Sequence, residues 1–433
     1  MLGRFEDYFS KVYIAVFSKK SVGNATALDY RVAITTRHCA FRLMRKVPMN
    51  TVDLAVIGLG ALGVHVAAEA ASRGLSVVGF ERHTAAHEFG ATAGRTRIFR
   101  TAYTFGSAYV PALVESRAAW EALESRHPGE VWSPHGALMI GDPADAEMAA
   151  VIVSAREHGV EHTSLDPGEI RSRFPQHRPR DTDVGVLDAT GALLLPQSIT
   201  ALVSAEAVAA GAALHYGVTV DELRPVAGGT EIVTSNGIAV TARNVVVATG
   251  AWTSRLVPEY SQAVQLRRVV LQWYPTDDRS RFTPDVFPVG LRRSDEVVRF
   301  SFFPQVDDKG IKVNFHIPKL VLNDADQAVN PVPAAYAERL SYLVPEVFDG
   351  VGSTASATVG YVESYTEDFR ILLDRAPARD GVWVLGGGSG QAFKLSPVLA
   401  RYAVDRVLGA DGDTTGNRID SITRGFAATT VTA

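Results

Sequence analysis

Three glycines and one acid in the first part of the chain have the types and spacing of residues that bind a dinucleotide. Gly58, Gly60 and Gly63 follow an apolar run, and Glu81 ends a second apolar run after a small-residue helix pattern. In such a unit Gly58 permits a tight turn, Gly60 lets a pyrophosphate approach the backbone, and Gly63 lets helix and strand pack closely. Glu81 can accept hydrogen bonds from both hydroxyls of an adenosine ribose. The motif therefore predicts a dinucleotide, with NAD and FAD both open.

Cationic side chains form a second group that could do chemistry. Arg95, Arg97 and Arg100 follow the first motif closely, and Lys312 and His316 lie in an alternating segment at 310–317. Apolar residues occupy one face of that segment and polar residues the other, which predicts a strand. Taken alone, a lysine on such a strand is usually solvated, a histidine is usually structural, and three arginines are usually a basic surface turn.

Three segments are predicted to build one nucleotide-binding domain. The first runs from 50 to about 100, the second contains the buried strand and small-residue turn at 242–252, and the third contains the strand and glycine-rich turn at 381–394. The carboxyl ends of strands in a doubly wound sheet point at the ligand, so three such turns can converge on one extended cofactor. FAD is large enough to need all three. Strands predicted near 266–274 and 297–303 belong to a second domain.

Composition limits the class of protein. The 433 residues are 46% hydrophobic and 21% charged, as in globular proteins, and the length predicts two domains. A net charge of −4 and a pI near 6.3 argue against a nucleic-acid surface. Cys39 is the one cysteine, which excludes a cysteine metal site within one chain and suits a reducing cytoplasm. The apolar stretch at 54–71 contains glycines, His65 and Glu69, so we predict that it does not span a membrane. We also predict no bound metal.

Residues 1–48 differ from the rest in charge, with nine Lys or Arg against three Asp or Glu and no clear periodicity. A transit-like leader or a basic arm has this composition. We favour an upstream start or an added leader, with Met49 as the natural beginning, and expect 1–48 to be poorly ordered and outside the chemistry.

Four motifs, in this order and spacing, resemble the monomeric sarcosine oxidase and N-methyltryptophan oxidase family of the D-amino-acid-oxidase-like flavoproteins. They are the run at 94–103, the turn at 248–252, the lysine strand at 310–317 and the run at 387–394. The resemblance extends from about residue 52 to 410. It implies FAD as the cofactor. The residues implied to contact FAD are Gly58, Gly60, Ala61, Leu62, Gly63, Glu81, Arg82, Thr96, Arg97, Thr249, Gly250, Trp252, Gly387, Gly388, Gly390, Gln391 and Lys394.

The resemblance also implies four catalytic residues. Lys312 matches the lysine that lies over the flavin ring and activates oxygen, and Arg97 matches a cation that can stabilise the reduced anionic flavin. His316 and Tyr361 match residues that line the substrate cavity. A fixed positive charge in a dry cavity stabilises an anion strongly, which makes the role of Lys312 physically reasonable.

Substrate binding is implied for Arg100, Lys394 and Tyr103. Arg100 and Lys394 match the pair that binds the substrate carboxylate, since a guanidinium can hold it bidentately while lysine adds a point charge.

The chain departs from the family at several positions. Val359 occupies the place of the cysteine that tethers the flavin, so we predict non-covalent FAD. Phe105 and Ala93 replace an acid and a histidine of sarcosine-specific members, and Ser301 replaces a cavity tyrosine. These changes predict a cavity of altered shape for a substrate other than sarcosine.

The expected fold is α/β, a Rossmann-type FAD-binding domain interleaved with an α+β substrate domain on a mixed, largely antiparallel sheet. We assign 50–135, 190–255 and 360–412 to the first domain, 136–189 and 256–359 to the second, and 413–433 to a C-terminal tail.

The expected activity is FAD-dependent oxidation of secondary amines, most simply N-methyl or other N-substituted α-amino acids, with O2 as acceptor and H2O2 as product. Fructosyl-amino-acid or cyclic imino-acid oxidation and an FAD-dependent amino-acid dehydrogenase are the alternatives within this class. From other classes, a flavoprotein acting on tRNA bases would need a phosphate-binding face. A catalytically idle FAD-binding partner would have no reason to match the cations. We expect a small-molecule amine and O2 as partners, no nucleic acid, no membrane, and a monomer.

Overall fold

The apolar run before the three glycines forms a central strand of the first sheet. The computed structural model describes residues 51–316, 320–328, 332–409 and 420–426. The central strand, β1 (Val52–Ile57), lies between two parallel neighbours. Its residues from Leu54 to Ile57 are buried, on both faces of the sheet. A parallel strand covered on both faces needs apolar side chains at successive positions, which explains the continuous run. The leader 1–48 with Cys39, Ile317 and most of the tail 413–433 lie outside the described residues.

Nine strands form the first sheet. They are β1, β2 (Val77–Glu81), β9 (Ala213–Tyr216), β10 (Val220–Val226), β11 (Gly229–Thr234), β12 (Ala239–Val247), β19 (Ile371–Arg375), β20 (Val382–Gly386) and β21 (Thr423–Arg424). The main order is β21-β19-β20-β12-β1-β2-β9, and β20, β12, β1, β2 and β9 run parallel. The strands that precede the three predicted glycine or small-residue turns, β1, β12 and β20, are therefore neighbours in one sheet, as expected of a Rossmann-type domain.

Helices cover one face of this sheet. Leu54 and Val56 of β1 pack in a cluster with side chains of four long helices, whereas Ala55 and Ile57 pack on the opposite face. The helices in the described ranges are α1 (Ala61–Ser72), α2 (Val110–Arg126), α3 (Ala146–Glu157), α4 (Pro167–Arg173), α5 (Pro196–Ala209), α6 (Tyr260–Ala263), α7 (Ala334–Ser341), α8 (Val344–Val347) and α9 (Ala392–Leu408). Short 3-10 helices span Ser107–Tyr109, Gly250–Arg255, Arg279–Phe282 and Ala325–Ala328.

The second sheet also has nine strands and is antiparallel except where β14 runs parallel to β5. Its strands are β5 (Ala137–Gly141), β6 (His162–Leu165), β7 (Val184–Asp188), β13 (Gln265–Tyr274), β14 (Val289–Arg293), β15 (Arg299–Phe303), β16 (Ile311–Phe315), β17 (Leu320–Leu322) and β18 (Ala357–Tyr365). A small third sheet joins β3 (Arg97–Phe99), β4 (Trp132–Ser133) and β8 (Ala192–Leu194). The expected mixed, largely antiparallel sheet is confirmed.

The alternating segment predicted at 310–317 is a strand, β16, with the predicted division of faces. Ile311, Val313 and Phe315 pack in an aromatic-rich cluster on one side. Lys312 lies on the other side and is buried, although a lysine on an isolated alternating strand is usually solvated.

The domain boundaries stay a proposal. One of them needs adjustment, because the whole of β18 belongs to the second sheet and a boundary at residue 360 falls inside this strand. We move that boundary to the end of β18.

A buried histidine lies in the aromatic cluster of the second sheet. The ring of His177 is within 4.9 Å of Phe287, 4.7 Å of Phe302 and 5.3 Å of Phe348, measured between ring centroids. Neither ring nitrogen has a hydrogen-bond partner among the described residues. Burial first, and then the Arg292 guanidinium, lower the pKa of His177 well below its ordinary value of 6.5.

We expect His177→Phe to stabilise the protein, and to do so increasingly as the pH falls. The lowered pKa means that the unfolded chain binds one more proton than the folded chain below the ordinary value of 6.5, so acid favours unfolding. The gain should be about 1 kcal/mol at neutral pH and grow by up to about 1.4 kcal/mol per pH unit in acid. Urea unfolding of both proteins at several pH values measures it, with exposed His158→Phe as the control. Equal pH dependence of parent and variant would refute this role.

Candidate active site

The three glycines of the first turn have three different physical reasons to be glycine. Gly58 has φ of +89°, and a Cβ there would lie 2.8 Å from the Ala248 carbonyl oxygen. A Cβ on Gly63 would lie 1.8 Å from the Gly58 carbonyl oxygen, so helix and strand could not pack. A Cβ on Gly60 would meet nothing closer than Thr92 Oγ1 at 3.5 Å. The fold thus requires glycine at the first and third positions, whereas at the second the absent side chain leaves open space.

Glu81 is buried and held in place by the backbone. Its Oε2 accepts a hydrogen bond from the Leu59 amide at 2.9 Å and its Oε1 accepts one from the His83 amide at 3.0 Å, with His87 Nε2 at 3.5 Å from Oε1. Burial raises the pKa of Glu81, but the contacts with His87 and the two amides together bring it below its ordinary value. The carboxylate is therefore fixed in its charged form, and each oxygen has acceptor capacity left for a hydroxyl.

One cavity passes all three predicted turns. Its walls include the turn at Gly58 and Gly60, the turn at Thr249 and Gly250, and the glycine-rich turn from 386 to 390. The other predicted cofactor residues that line it are Ala61, Leu62, Glu81, Arg82, Arg97, Trp252 and Lys394. An extended molecule that touches all three turns, with open backbone at Gly60 and a ribose acceptor at Glu81, fits this cavity, and FAD has that form.

Three predicted cofactor residues are placed behind the cavity wall. Gly63 packs against Gly58, as described above. Thr96 is 1% exposed, and its carbonyl oxygen accepts hydrogen bonds from Lys312 and Arg97. Gln391 is buried, where it accepts a hydrogen bond from the Tyr103 hydroxyl at 3.0 Å.

Several lining residues were missed in the sequence. His83, His87, Thr92, Arg255 and Glu363 are among the cavity walls. The Glu363 carboxylate accepts hydrogen bonds from the Gly390 amide at 3.0 Å and the Tyr365 hydroxyl at 2.7 Å. The period of two along β18 puts it on the same face as Tyr361, and that was the available signal.

Arg82 lies over an aromatic ring at the cavity wall. Its guanidinium carbon is 4.5 Å from the centre of the Trp252 ring, whose Nε1 donates to Asp326 at 2.7 Å. This cation–π contact joins two predicted cofactor residues from distant parts of the sequence.

Lys312 is a buried lysine without a carboxylate partner in the described ranges. Its Nζ donates to the carbonyl oxygens of Gly94 at 2.7 Å and Thr96 at 2.8 Å, and lies 3.8 Å from the centre of the Phe303 ring. Burial first, and then Arg97, lower the pKa of Lys312 well below its ordinary value. A negative charge that arrives next to this ammonium would be stabilised strongly.

Arg97 is held by the backbone of the loop that precedes it. Its guanidinium donates to the carbonyl oxygens of Ala91, Ala93 and Thr96, the first at 2.6 Å and the last at 2.8 Å. It also lies 5.7 Å from the centre of the buried Tyr361 ring, and burial raises the pKa of that hydroxyl. Arg97 thus joins the cavity wall to the two predicted catalytic residues on the second sheet, Lys312 and Tyr361.

The three predicted substrate residues meet in the interior. Tyr103 lies between two cations, with the Arg100 guanidinium 4.8 Å and Lys394 Nζ 5.3 Å from its ring centre. Arg100 donates only to Thr104 Oγ1, at 2.8 Å, among the described residues, and its buried Nε has no partner there. Lys394 Nζ donates to the Tyr103 hydroxyl at 3.2 Å and the Gln391 carbonyl oxygen at 3.4 Å. Burial is the first cause that lowers the pKa of both cations; the charge of Arg293 also lowers that of Arg100, and the charges of Arg100 and Arg97 lower that of Lys394.

His316 is one of three predicted catalytic residues that lie outside the cavity walls. Its Nδ1 is 2.8 Å from Arg293 Nη2 and its Nε2 is 3.0 Å from Ser301 Oγ. Arg100, Tyr103, Lys312, Tyr361 and His316 do not line the cavity that passes the glycine turns.

The departures from the family pattern cluster near the cations. Phe105 packs against Tyr103, Tyr109 and Phe369, with ring centroids 5.7 Å, 6.2 Å and 5.6 Å apart. Val359 is half-buried on the face of β18 that also carries Tyr361. An apolar, partly exposed aromatic group therefore stands where the sequence pattern of sarcosine-specific members has an acid.

A parallel sheet with the dinucleotide turn, a buried acid at the end of its second strand and a cavity that joins three turns fits a flavin-dependent oxidoreductase. The family described as FAD dependent oxidoreductase matches residues 53–406, and the chain belongs to it. None of the helices in the described ranges is long and apolar enough to span a lipid bilayer.

Two curated relatives and one solved structure show the similarity in more detail. The chain is 31% identical over 365 residues to a monomeric sarcosine oxidase of Streptomyces avermitilis, covering 83% of this chain and 94% of the relative. It is 30% identical over 358 residues to an N-methyl-L-tryptophan oxidase of Escherichia coli, covering 82% and 94%. The fold is similar to that of NikD, an amino acid oxidase of nikkomycin biosynthesis, with a TM-score of 0.74, 24% identity, and coverage of 86% and 97%.

We expect Gly60→Val to give a folded, colourless protein. The φ of Gly60 is −71°, which any residue adopts, and its added side chain meets open space within the protein. The side chain would therefore collide with bound cofactor alone. Flavin absorbance of the purified variant and its thermal unfolding midpoint measure the two effects separately.

Gly63→Val is the matched comparison. Its Cβ would collide with backbone, so this variant should lose stability or fail to fold. A yellow Gly60→Val protein would contradict the assigned role of the turn.

Proposed function

We propose that this flavin-dependent oxidoreductase oxidises secondary amines that carry a carboxylate, most simply N-methyl or other N-substituted α-amino acids. The observation that carries the proposal is the buried pair Arg100 and Lys394. Neither cation forms an ion pair within the described ranges, and one guanidinium nitrogen of Arg100 has no partner there. Buried charges are normally paired, so an anionic group of the substrate is the natural partner.

In the proposed reaction the cofactor provides the redox chemistry, and the side chains of the protein bind and orient the substrate. FAD held by the glycine turns and Glu81 would supply the two-electron chemistry by which the amine is oxidised to a hydrolysable imine and O2 is reduced to H2O2. Arg100 and Lys394 hold the carboxylate, which orients the C–H bond. Tyr103 keeps the two cations apart. An amine bound in its neutral form needs no base, because its own lone pair assists the reaction.

Lys312 is proposed to provide the positive charge for oxygen activation. Its two carbonyl acceptors fix the ammonium group, and burial removes the water that would screen its charge. Arg97 adds a second positive charge at the cavity wall, where it can balance negative charge on the reduced cofactor.

Several further features belong to the proposal. Val359 cannot form a thioether, so retention of FAD depends on Glu81 and the glycine turns. The partners are a small amine and O2, the protein acts as a monomer in the cytoplasm, and the two sheets divide the chain into FAD-binding and substrate domains. Fructosyl amino acids and cyclic imino acids carry the same carboxylate and secondary amine, and they remain the alternatives within the class.

An anaerobic reduction assay tests the proposed function. The yellow holoprotein is mixed with a panel of N-methyl, cyclic and fructosyl amino acids, and bleaching of the flavin is followed. We expect at least one member to bleach it and the matching amide, which lacks the carboxylate, to react far more slowly. Failure with every amine would contradict the proposal.

We expect Lys312→Met to keep its flavin and to lose oxygen reactivity. Reduction by the amine should continue, while peroxide release in air falls by about 100-fold or more, since a fixed charge of this kind contributes several kcal/mol. Stopped-flow reoxidation of the reduced variant measures the effect. Lys309→Met is the control, because Lys309 is exposed in the same hairpin and rests on Trp273. An unchanged rate of reoxidation in Lys312→Met would contradict the role of Lys312 in oxygen activation.

A further inference from the structure

His316 is in direct contact with a permanently charged donor. Arg293 Nη2 lies 2.8 Å from His316 Nδ1, and Ser301 Oγ lies 3.0 Å from His316 Nε2. A guanidinium has hydrogen-bond donors and no acceptor, and it stays protonated in proteins. The contact therefore requires a lone pair on Nδ1, and the single proton of the neutral ring must be on Nε2, from which it donates to Ser301 Oγ.

Arg293 itself is fixed by three other contacts. Its Nε donates to Glu147 Oε2 at 2.7 Å, and its Nη1 donates to the carbonyl oxygens of Arg292 at 2.7 Å and Phe300 at 3.2 Å. The side chain is nearly fully buried. Arg299 also pairs with Glu147, at 2.6 Å, and with Asp145 at the start of α3. Arg293 thus cannot turn away from His316 without leaving Glu147.

We infer that Arg293 holds His316 as a neutral imidazole protonated on Nε2, so that His316 serves the reaction as a hydrogen-bond donor through Ser301 and not as a proton-accepting base. The role of His316 in the reaction rests on the proposed function, whereas the assigned tautomer rests on the contact with Arg293 alone. Protonation of Nδ1 would break the bond from Arg293 and bring two cations to about 3 Å. In this arrangement Arg293 is a positioning residue, and the Ser301 hydroxyl keeps its own proton to donate to another acceptor.

The charges around the imidazole agree with this state. Arg293 on β14 contacts the ring, and its ion-pair network contains Arg299 on β15 and the acids Glu147 and Asp145 at the start of α3. The two acids already pair with Arg293 and Arg299. Both acids are therefore engaged by guanidinium groups, and the group in direct contact with Nδ1 is a cation.

Nitrogen NMR of the histidine-labelled holoprotein tests the inference without an activity measurement. His316 is assigned by the signal that disappears in His316→Gln. We expect its two ring nitrogens to show the neutral form protonated on Nε2, with no titration between about pH 5 and pH 8. In Arg293→Met the same signals should titrate near the ordinary value for histidine. Arg299→Met, which disturbs the same acids and leaves the Arg293 contact in place, should behave as the parent.

The outcomes separate the inference from the proposed function. A parent His316 that is protonated on Nδ1, or that titrates in this range, overturns the inference whatever the activity. The expected tautomer in a protein that no amine reduces would leave the inference about Arg293 standing and contradict the function. The pH profile of flavin reduction supplies a second reading, since only Arg293→Met should gain a step near neutral pH. The parent spectrum decides the tautomer even if Arg293→Met does not fold.

Discussion

Four cations, Arg97, Arg100, Lys312 and Lys394, lie in or beside the interior of this protein, and in the described ranges carbonyl and hydroxyl oxygens hold them in place of carboxylates. Burying unpaired positive charge is costly, because the surroundings replace water poorly. A folded protein that keeps such charges needs anionic partners from outside the chain. A substrate carboxylate and the negative charge of a reduced flavin are partners of this kind, so the cation set connects the fold to its chemistry.

The fold positions these cations around one short segment, to which both large sheets contribute neighbouring residues. The segment from Gly94 to Tyr103 carries Arg97 and Arg100, and Lys312 of the second sheet binds the carbonyl oxygens of Gly94 and Thr96. Gly94 has φ of +96°, and a Cβ there would lie 2.4 Å from Leu271 of the second sheet. Lys394 approaches the same segment from α9, after the glycine-rich turn that follows β20. One loop thus depends on correct placement of both sheets.

Local patterns in the sequence were sufficient for the glycine turns and for β16. The reason is that a tight turn, a close backbone approach and a two-residue period are dictated by neighbouring residues. The burial of Lys312 was not predictable in this way, since its acceptors lie more than 200 residues earlier in the chain. The contact of Arg293 with His316 was missed for the same reason, because it depends on the register between strands, whereas the two-residue period of β18 was an available signal for Glu363. The family resemblance supplied the candidate cations, and the structure supplied their partners.

The buried cations are proposed to bind an anionic ligand next to the flavin. An absorption titration of the holoprotein with benzoate, a carboxylate that the enzyme cannot oxidise, and with benzamide, its neutral counterpart, tests this most directly. We expect a saturable change in the flavin spectrum with benzoate, no change with benzamide at the same concentrations, and loss of the benzoate response in Arg100→Met. Equal responses to the two compounds, or a benzoate response that survives in Arg100→Met, would contradict it.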